Sequence, residues 1–319
     1  MKIACLGDTH LLLDKPRGRK DDAHEVQKEK LLFVLDWARK NDAVIIQPGD
    51  FFDSARSWHL TVIYDAFLFD YFLRHRDVDI YVVYGQHDTY MYSSKTRHAT
   101  GLGLLLANKL VYLLDGKATQ LDNGRIRLYG VSFGQPVPKP ARGDWLNVLV
   151  IHKMIVDEKL WAGQEDYVYA EDFLAEHDGY DLIVCGDLHR KFLFEQEGRY
   201  IVNSGALLRK EADAYNMTEA SPGFWVFNTD GKYEDLEWVD IPHSPGLEVL
   251  SRDHIERQER IDGAMEELIS GINDMKEEID ESESFRFVDV LNSILKENEI
   301  GKGVSDILAG IMDEEIRAI

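Results

Sequence analysis

Cysteine and proline are scarce in this chain of 319 residues, which has two of the first and eight of the second. A small disulfide scaffold is excluded, because Cys5 and Cys185 each lie inside an apolar run and read as reduced core thiols. No stretch approaches the roughly 20 apolar residues that a membrane-crossing helix needs. Met1-Lys2 leads straight into a strand-like segment instead of a secretory leader, so a soluble cytoplasmic protein is expected. Basic residues are also in short supply: 36 Lys and Arg face 58 Asp and Glu, a formal net charge of −22. The sequence therefore reveals no broad basic face of the kind that binds polyanions by releasing counterions. What the chain does have is 45% hydrophobic residues, enough for a sizeable core and against disorder.

The acidity is uneven. Residues 245–319 hold 20 acidic and 8 basic side chains, net −12, whereas residues 1–244 hold 38 and 28, net −10. Patterning changes at the same point. Before it, KIACL, a helix around 25–40, AVIIQ, a helix around 59–75 and IYVVY make a βαβαβ opening. The runs LVYLL, IRLYGV, NVLVI, LIVC, FLFE, RYIVN, GFWVFN and LEWVDI add strands with few helices between them. The expected fold is α/β, a β-sandwich flanked by helices over residues 1–244, with an acidic all-helical tail over 245–319. His243-Ser244-Pro245-Gly246 marks the boundary. Beyond it Met265, Leu268, Ile272, Met275 and Ile279 recur at steps of 3 and 4, the seam of an amphipathic helix. Two further helical stretches are expected around 285–296 and 304–316.

Five apolar runs end in a similar way: KIACL-GDTH, AVIIQP-GD, IYVVY-GQHD, NVLVI-H and LIVC-GDLH. Ligands of α/β sheets gather beyond the carboxyl ends of strands, so residues there converge although they are far apart in sequence. The convergent set is Asp8, His10, Asp50, Gln86, His87, His152, Asp187 and His189. A lone Asp after a strand is usually a turn former or helix cap. It is the joint order that points to chemistry. Mixed oxygen and imidazole donors suit Mn²⁺, Fe²⁺ or Zn²⁺, and their number exceeds one tetrahedral ion while fitting two ions that share a carboxylate. Two divalent metal ions and phosphoester hydrolysis are the expected chemistry.

With GDxH, GD, GxHD, a lone His and GxxH in that order over roughly residues 1–245, the chain resembles the calcineurin-like metallophosphoesterases. Within them, PGDFFD, GQHD, CGDLHRKF and RYIVNSGALLRKEAD, followed by a strand and a helical tail, are most similar to SbcD-type DNA double-strand-break nucleases of phages and prophages. The resemblance implies that Asp8, His10 and His189 hold a first ion, Asp50 bridges, and Gln86, His152 and Asp187 hold the second. It also implies that His87 faces the scissile phosphate. Asp88 either orients His87 or caps the following turn. Gln86 stands where the superfamily usually has Asn, and Asp187 where it usually has His. A third carboxylate makes the second site harder and favours Mn²⁺, or Mg²⁺, over Zn²⁺. If Asp187 does not ligate, that site is weak or empty.

Cations and one aromatic nearby are candidate substrate contacts: Arg17 and Arg19 after GDTH, Tyr90 and Lys95 after GQHD, Arg190 and Lys191 beyond His189, and Arg209 in the SGALLRK segment. For each cation the alternative is ordinary solvated charge; the Tyr90 ring could instead lean on a strand end. The acidic tail repels phosphate and presents an apolar seam that needs a partner. It either folds back on the catalytic domain or, as the resemblance implies, docks on an SbcC-type SMC-like ATPase. A homodimer is implied on the same footing. The resulting expectation is a manganese-dependent DNA exonuclease or endonuclease, the catalytic subunit of a nuclease–ATPase complex in DNA repair, recombination or phage replication. A small-molecule phosphatase or cyclic-nucleotide phosphodiesterase on the same fold is the main rival, and an inactive scaffold the third reading.

Overall fold

Apolar runs broken by short polar turns build a layered α/β fold in the computed structural model, which describes residues 1–12, 14–55, 66–159, 166–229 and 236–276. The strands in chain order are β1 (Lys2–Cys5), β2 (Ala43–Gln47), β3 (Ile80–Val82), β4 (Tyr112–Leu113), β5 (Thr119–Leu121), β6 (Ile126–Val131), β7 (Leu146–His152), β8 (Ile155–Val156), β9 (Val168–Tyr169), β10 (Leu182–Gly186), β11 (Lys191–Gln196), β12 (Arg199–Ser204), β13 (Gly223–Asn228) and β14 (Leu236–Asp240). The helices are α1 (Ala23–Lys40), α2 (Ala66–Arg74), α3 (Gly101–Ala107), α4 (Ala170–Glu176), α5 (Ala214–Thr218), α6 (Gly246–Val249) and α7 (Asp253–Lys276). Two six-stranded sheets result, ordered β14-β13-β1-β2-β3-β4 and β11-β12-β10-β7-β6-β5, with a separate β8-β9 pair.

Each sheet has a parallel centre: β1 to β4 in the first, and β6, β7, β10 and β12 in the second. Strands covered on both faces read as unbroken apolar runs, which explains KIACL, AVIIQ and LIVC. Ile3, Cys5, Ile46, Val148, Val150, Leu182 and Val184 fill the space between the sheets. On the first sheet's other face, Ala4, Ile45 and Val82 meet Leu31, Val34 and Leu35 of α1 and Leu102 and Leu105 of α3. The second sheet's outer face buries Leu149, Ile151 and Ile183 against Phe173 and Leu174 of α4. The expected β-sandwich flanked by helices is the observed arrangement. Full burial of each such aliphatic or aromatic side chain contributes about 1.5–3 kcal/mol.

Helix α1 starts where Asp22 accepts hydrogen bonds from the N–H groups of His24 and Glu25, and ends with Arg39 and Lys40 in its last turn. At the carboxyl ends of the central strands the two sheets are stitched together. Asp8 N–H donates to the Gly205 carbonyl, Leu207 N–H donates to the Asp8 carbonyl, and Ser204 Oγ donates to the Cys5 carbonyl. Gly7 is needed there, since a Cβ would run into the Gly205 carbonyl.

Several short elements are not announced by any run: β5, β8, β9, α3 and α4. Of the helix expected around 59–75, residues Ala66–Arg74 fall among those described. The chain divides into two units, Met1–Leu250 and Ser251–Ile319. The turn at His243–Gly246 therefore lies inside the first unit. Its continuation is held by Lys20, whose N–H reaches the Val249 carbonyl and whose ammonium reaches that of Leu247. In the second unit α7 spans Met265, Leu268, Ile272 and Met275. Ile279 and the stretches expected around 285–296 and 304–316 lie outside the described residues. Among the described residues no helix is long and apolar enough to cross a membrane.

One cation lies deep inside the first unit. Lys30 is 2% exposed and its ammonium donates to the Leu207 carbonyl at 2.8 Å. Burial, then the nearby Arg209 and Arg19 guanidinium groups, push its pKa down from 10.5 to about 7. Between those values the unfolded chain binds the proton that the folded chain releases, so this residue makes stability rise with pH. Wild type should gain on Lys30→Met when thermal unfolding midpoints are compared at pH 7 and pH 9. A constant gap between the two proteins would contradict the burial of this charge.

Candidate metal centre

Three strands of the first sheet and two of the second end at one place. β1 leads to Asp8 and His10, β2 to Asp50, and β3 to Gln86 and His87, while β7 ends in His152 and β10 leads to Asp187 and His189. The structure brings these residues together as two clusters, Asp8 with His10 and His189, and Asp50 with His152 and Asp187. Within each cluster the donor atoms lie within 4.8 Å of one another. Both clusters draw on both sheets. Asp50 Oδ2 sits between them, 3.6 Å from His10 Nε2 and 3.5 Å from His152 Nε2, where one carboxylate can serve two ions. Gln86 Nε2 donates to Asp187 Oδ1 at 2.6 Å, which places its amide beside the second cluster.

Three buried atoms here lack a hydrogen-bond partner: Asp8 Oδ1, Gln86 Oε1 and His152 Nε2. Buried polar atoms are otherwise almost always paired, so three orphans in one pocket need a common explanation. His152 shows what it is. Its Nδ1 can only donate to the Pro48 carbonyl, 2.7 Å away, so the neutral ring turns the lone pair of Nε2 inward. Three carboxylates, three imidazoles and an amide oxygen fit two divalent cations.

The electrostatics agree. Burial pushes Asp8 well above the ordinary carboxylate range, a shift that His152 opposes and Asp50 and Asp187 reinforce. Burial would raise Asp50 too, but His152, His10 and His87 draw it down to about 2. His152 is raised to about 10, because Asp50, Asp8 and Asp187 outweigh the effect of burial. His189 is lowered to about 3 by burial and by His10 and Lys210, which keeps it neutral as a ligand must be.

Local backbone geometry is strained to achieve this. His10, Asp50 and Asp187 have φ of +41°, +50° and +78°, a left-handed conformation that costs of order 1–3 kcal/mol for a residue other than glycine. Gly85 permits it, since a Cβ at that position would collide with Asp50 Oδ1. The N–H of His87 donates to Asp50 Oδ1 and that of Asp187 to Asp8 Oδ2, both at 2.8 Å, fixing two carboxylates from behind.

His87 is exposed at the rim, with Nε2 4.0 Å from Asp50 Oδ2 and Nδ1 donating to the Asp53 carbonyl at 2.9 Å. Asp88 does not orient it. The Asp88 carboxylate accepts the N–H groups of Phe51, Phe52 and Gly85, so it holds the loop that carries Asp50. Asp53 is the residue that sequence reading missed, although the second Asp of PGDFFD was its signal. Its carboxylate lies 3.3 Å from His10 Nδ1 and accepts from the Lys210 ammonium at 2.5 Å. Burial alone would raise its pKa, but His10 and Lys210 hold it far below the usual carboxylate range.

Two expected substrate contacts are corrected. Arg19 is 4% exposed, paired with Asp21 and donating to the Arg209 carbonyl. Arg209 is 5% exposed and donates to the carbonyls of Ala220 and Ser244. Both guanidinium groups are taken up in bracing loops. Arg17 and Lys95 are exposed. Lys191 leans on the Trp238 ring and Arg190 on that of Tyr215. Arg190 lines a cavity of about 220 Å³ with Asp187, His189 and Lys210. A second cavity, of about 280 Å³, is lined by Asp53, Gln86, His87 and Tyr90.

Comparison with known proteins adds a family. The calcineurin-like phosphoesterase family matches residues 1–191. No curated protein matches the chain. Among solved structures, the chain is similar to an archaeal phosphodiesterase, with 14% identity, a TM-score of 0.39 and coverage of 75% of this chain and 99% of that one. A Thermus thermophilus protein shows 12% identity and a TM-score of 0.44 over 76% and 99% of the two chains. A dimetal phosphatase from Danio rerio shows 11% identity and a TM-score of 0.47 over the same shares, 76% and 99%.

Metal counting tests the ligand sets. Wild type dialysed against Mn²⁺ should retain two ions per chain, Asp187→Ala one, and Asp50→Ala fewer than two, measured by elemental analysis. Two ions retained by Asp187→Ala would remove this residue from the second site.

Proposed function

The chain belongs to the calcineurin-like phosphoesterase family, and from that premise we propose that it is a manganese-dependent DNA nuclease of the SbcD type. The observation that carries the proposal is that two separate cavities border the candidate metal centre. The two cavities, of about 220 and 280 Å³, are each lined by members of the candidate site, Asp187 and His189 in one and Gln86 and His87 in the other. A polymer whose backbone continues beyond the scissile phosphate needs room of this kind beyond the centre. A phosphomonoester does not.

Two bound divalent ions would supply Lewis-acid polarisation of the phosphate and an acidified water. The protein's own groups do the rest. Asp8, His10 and His189 would hold one ion, Gln86, His152 and Asp187 the other, with Asp50 shared between them. Hydrogen bonding of Nδ1 to a carbonyl leaves His87 Nε2 directed toward Asp50, so this nitrogen is the group available to a phosphate oxygen or a departing oxygen. Asp53 fixes the His10 ring and is itself held by Lys210. Arg190, on the cavity wall beyond His189, is the cation best placed for a flanking phosphate.

Three parts of the proposal rest on the resemblance of motifs to the SbcD type: docking of the helical tail on an SbcC-type SMC-like ATPase, a homodimer, and a role in DNA repair, recombination or phage replication in the cytoplasm. The acidity of the tail supports a protein partner over DNA.

With Mn²⁺ or Mg²⁺ present, the chain should cleave linear DNA faster than a cyclic nucleotide or p-nitrophenyl phosphate. His87→Ala should keep both ions and lose about 10²–10⁴ in turnover. Faster hydrolysis of either small ester would favour the phosphatase or cyclic-nucleotide reading. Deleting residues 251–319 should leave DNA cleavage in place and abolish co-purification with a coiled-coil ATPase; retained co-purification would move the docking surface elsewhere.

A further inference from the structure

Beside the centre lies a feature that hydrolysis alone does not require. Directly after GQHD the chain makes a tight turn, Tyr90–Tyr92, whose side chains are 51%, 79% and 72% exposed. Met91 and Tyr92 have φ of +50° and +55°, a left-handed pairing that bulky residues rarely adopt and that a fold maintains only against strain. The turn is pinned in place, since Tyr90 N–H donates to Thr96 Oγ1 and Thr96 Oγ1 donates to the Ser93 carbonyl. Phe133, 43% exposed, stands across from it, its ring 6.1 Å from that of Tyr92 and 6.3 Å from that of His152. Tyr92 borders two cavities of about 280 Å³ each, one shared with His87 and the other with Phe133 and Arg97.

Charge identifies the occupant. In a chain with 58 acidic residues, residues 89–114 contain no Asp or Glu, and neither do residues 124–143. These are the two longest acid-free stretches of the sequence. The first carries the Tyr90–Tyr92 turn and the second carries Phe133. Lys95 and Arg97 follow the turn directly. Aromatic faces and flanking cations, carried on stretches of chain without carboxylates, together complement a polyanion that also carries flat apolar rings.

We propose that the Tyr90–Tyr92 turn and Phe133 form a stacking surface for unpaired nucleobases of the strand whose phosphate lies at His87. The proposal rests on the nuclease reading above and makes it more specific. Bases inside a duplex are already stacked on their neighbours, so this surface engages only single-stranded or frayed DNA next to the cleaved linkage. A protein partner would find no reason to sit in a cavity that His87 shares, and the acid-free stretches that carry the turn and Phe133 favour a polyanion over an average protein face.

The test separates base contacts from phosphate contacts. Full-length protein is titrated with a fluorescent oligothymidylate and with an abasic strand of equal length, which keeps every phosphate and loses the rings. Stacking of one base changes affinity by about tenfold, so wild type should bind the thymidylate at least that much more tightly. Tyr90→Ala/Tyr92→Ala should bind both strands alike, and Tyr90→Phe/Tyr92→Phe should keep the preference. Unchanged Mn²⁺ content and unfolding midpoint in the variants exclude a fold defect. A wild type that cleaves DNA without preferring the base-bearing strand overturns the stacking surface and leaves the nuclease reading intact; so does a preference that survives in Tyr90→Ala/Tyr92→Ala. A wild type that shows the preference yet cleaves no DNA overturns the nuclease reading instead.

Discussion

Three carboxylates share one pocket, and the rest of the molecule is arranged around that fact. Asp8 and Asp50 are each 1% exposed, and Asp187 joins them from the other sheet. Like charges removed from water repel strongly and lose hydration, so such a group persists only where cations and N–H donors answer it. Backbone N–H groups of His87 and Asp187 reach two of the three. Imidazoles crowd the remaining lone pairs, and His152 is basic enough to hold a proton among them. Divalent ions would take over that neutralising role and release the proton.

Placing so much charge at one point requires rigid support. Loops after strand ends carry every candidate ligand except His152, which ends a strand itself, and parallel strands fixed by neighbours on both sides leave little freedom to those loops. Asp88 shows how support is layered: it touches no reacting group, yet two backbone contacts set the loop of Asp50 and a third, to Gly85, ties it to the loop after β3. The left-handed conformations of His10, Asp50 and Asp187 are maintained by apolar packing elsewhere, between the sheets and beneath the helices. A site built this way is stiff where metals are held and open where a substrate passes.

The sequence disclosed the strands because double-sided burial leaves an unmistakable apolar run, and it disclosed the ligand candidates because each follows such a run. It disclosed less where identity depends on distant contacts. Arg19 and Arg209 look like free cations until the fold shows Asp21 and the carbonyls of Ala220 and Ser244 around them. Asp53 looks like a turn residue until His10 and Lys210 arrive from elsewhere in the chain. Helices α3 and α4, seven residues each, are too short for periodicity to stand out. The exposed turn after GQHD could be read as a polar loop, whereas its outward pinning is a property of backbone dihedrals that composition does not encode.

Because each ligand cluster takes side chains from both leaves of the sandwich, bound ions would act as cross-braces that add to the hydrogen bonds already joining the leaves at that rim. Sliding of one leaf past the other would then be opposed at that rim by coordination bonds as well. The scarcity or abundance of free metal would govern the stiffness of that rim as well as its chemistry.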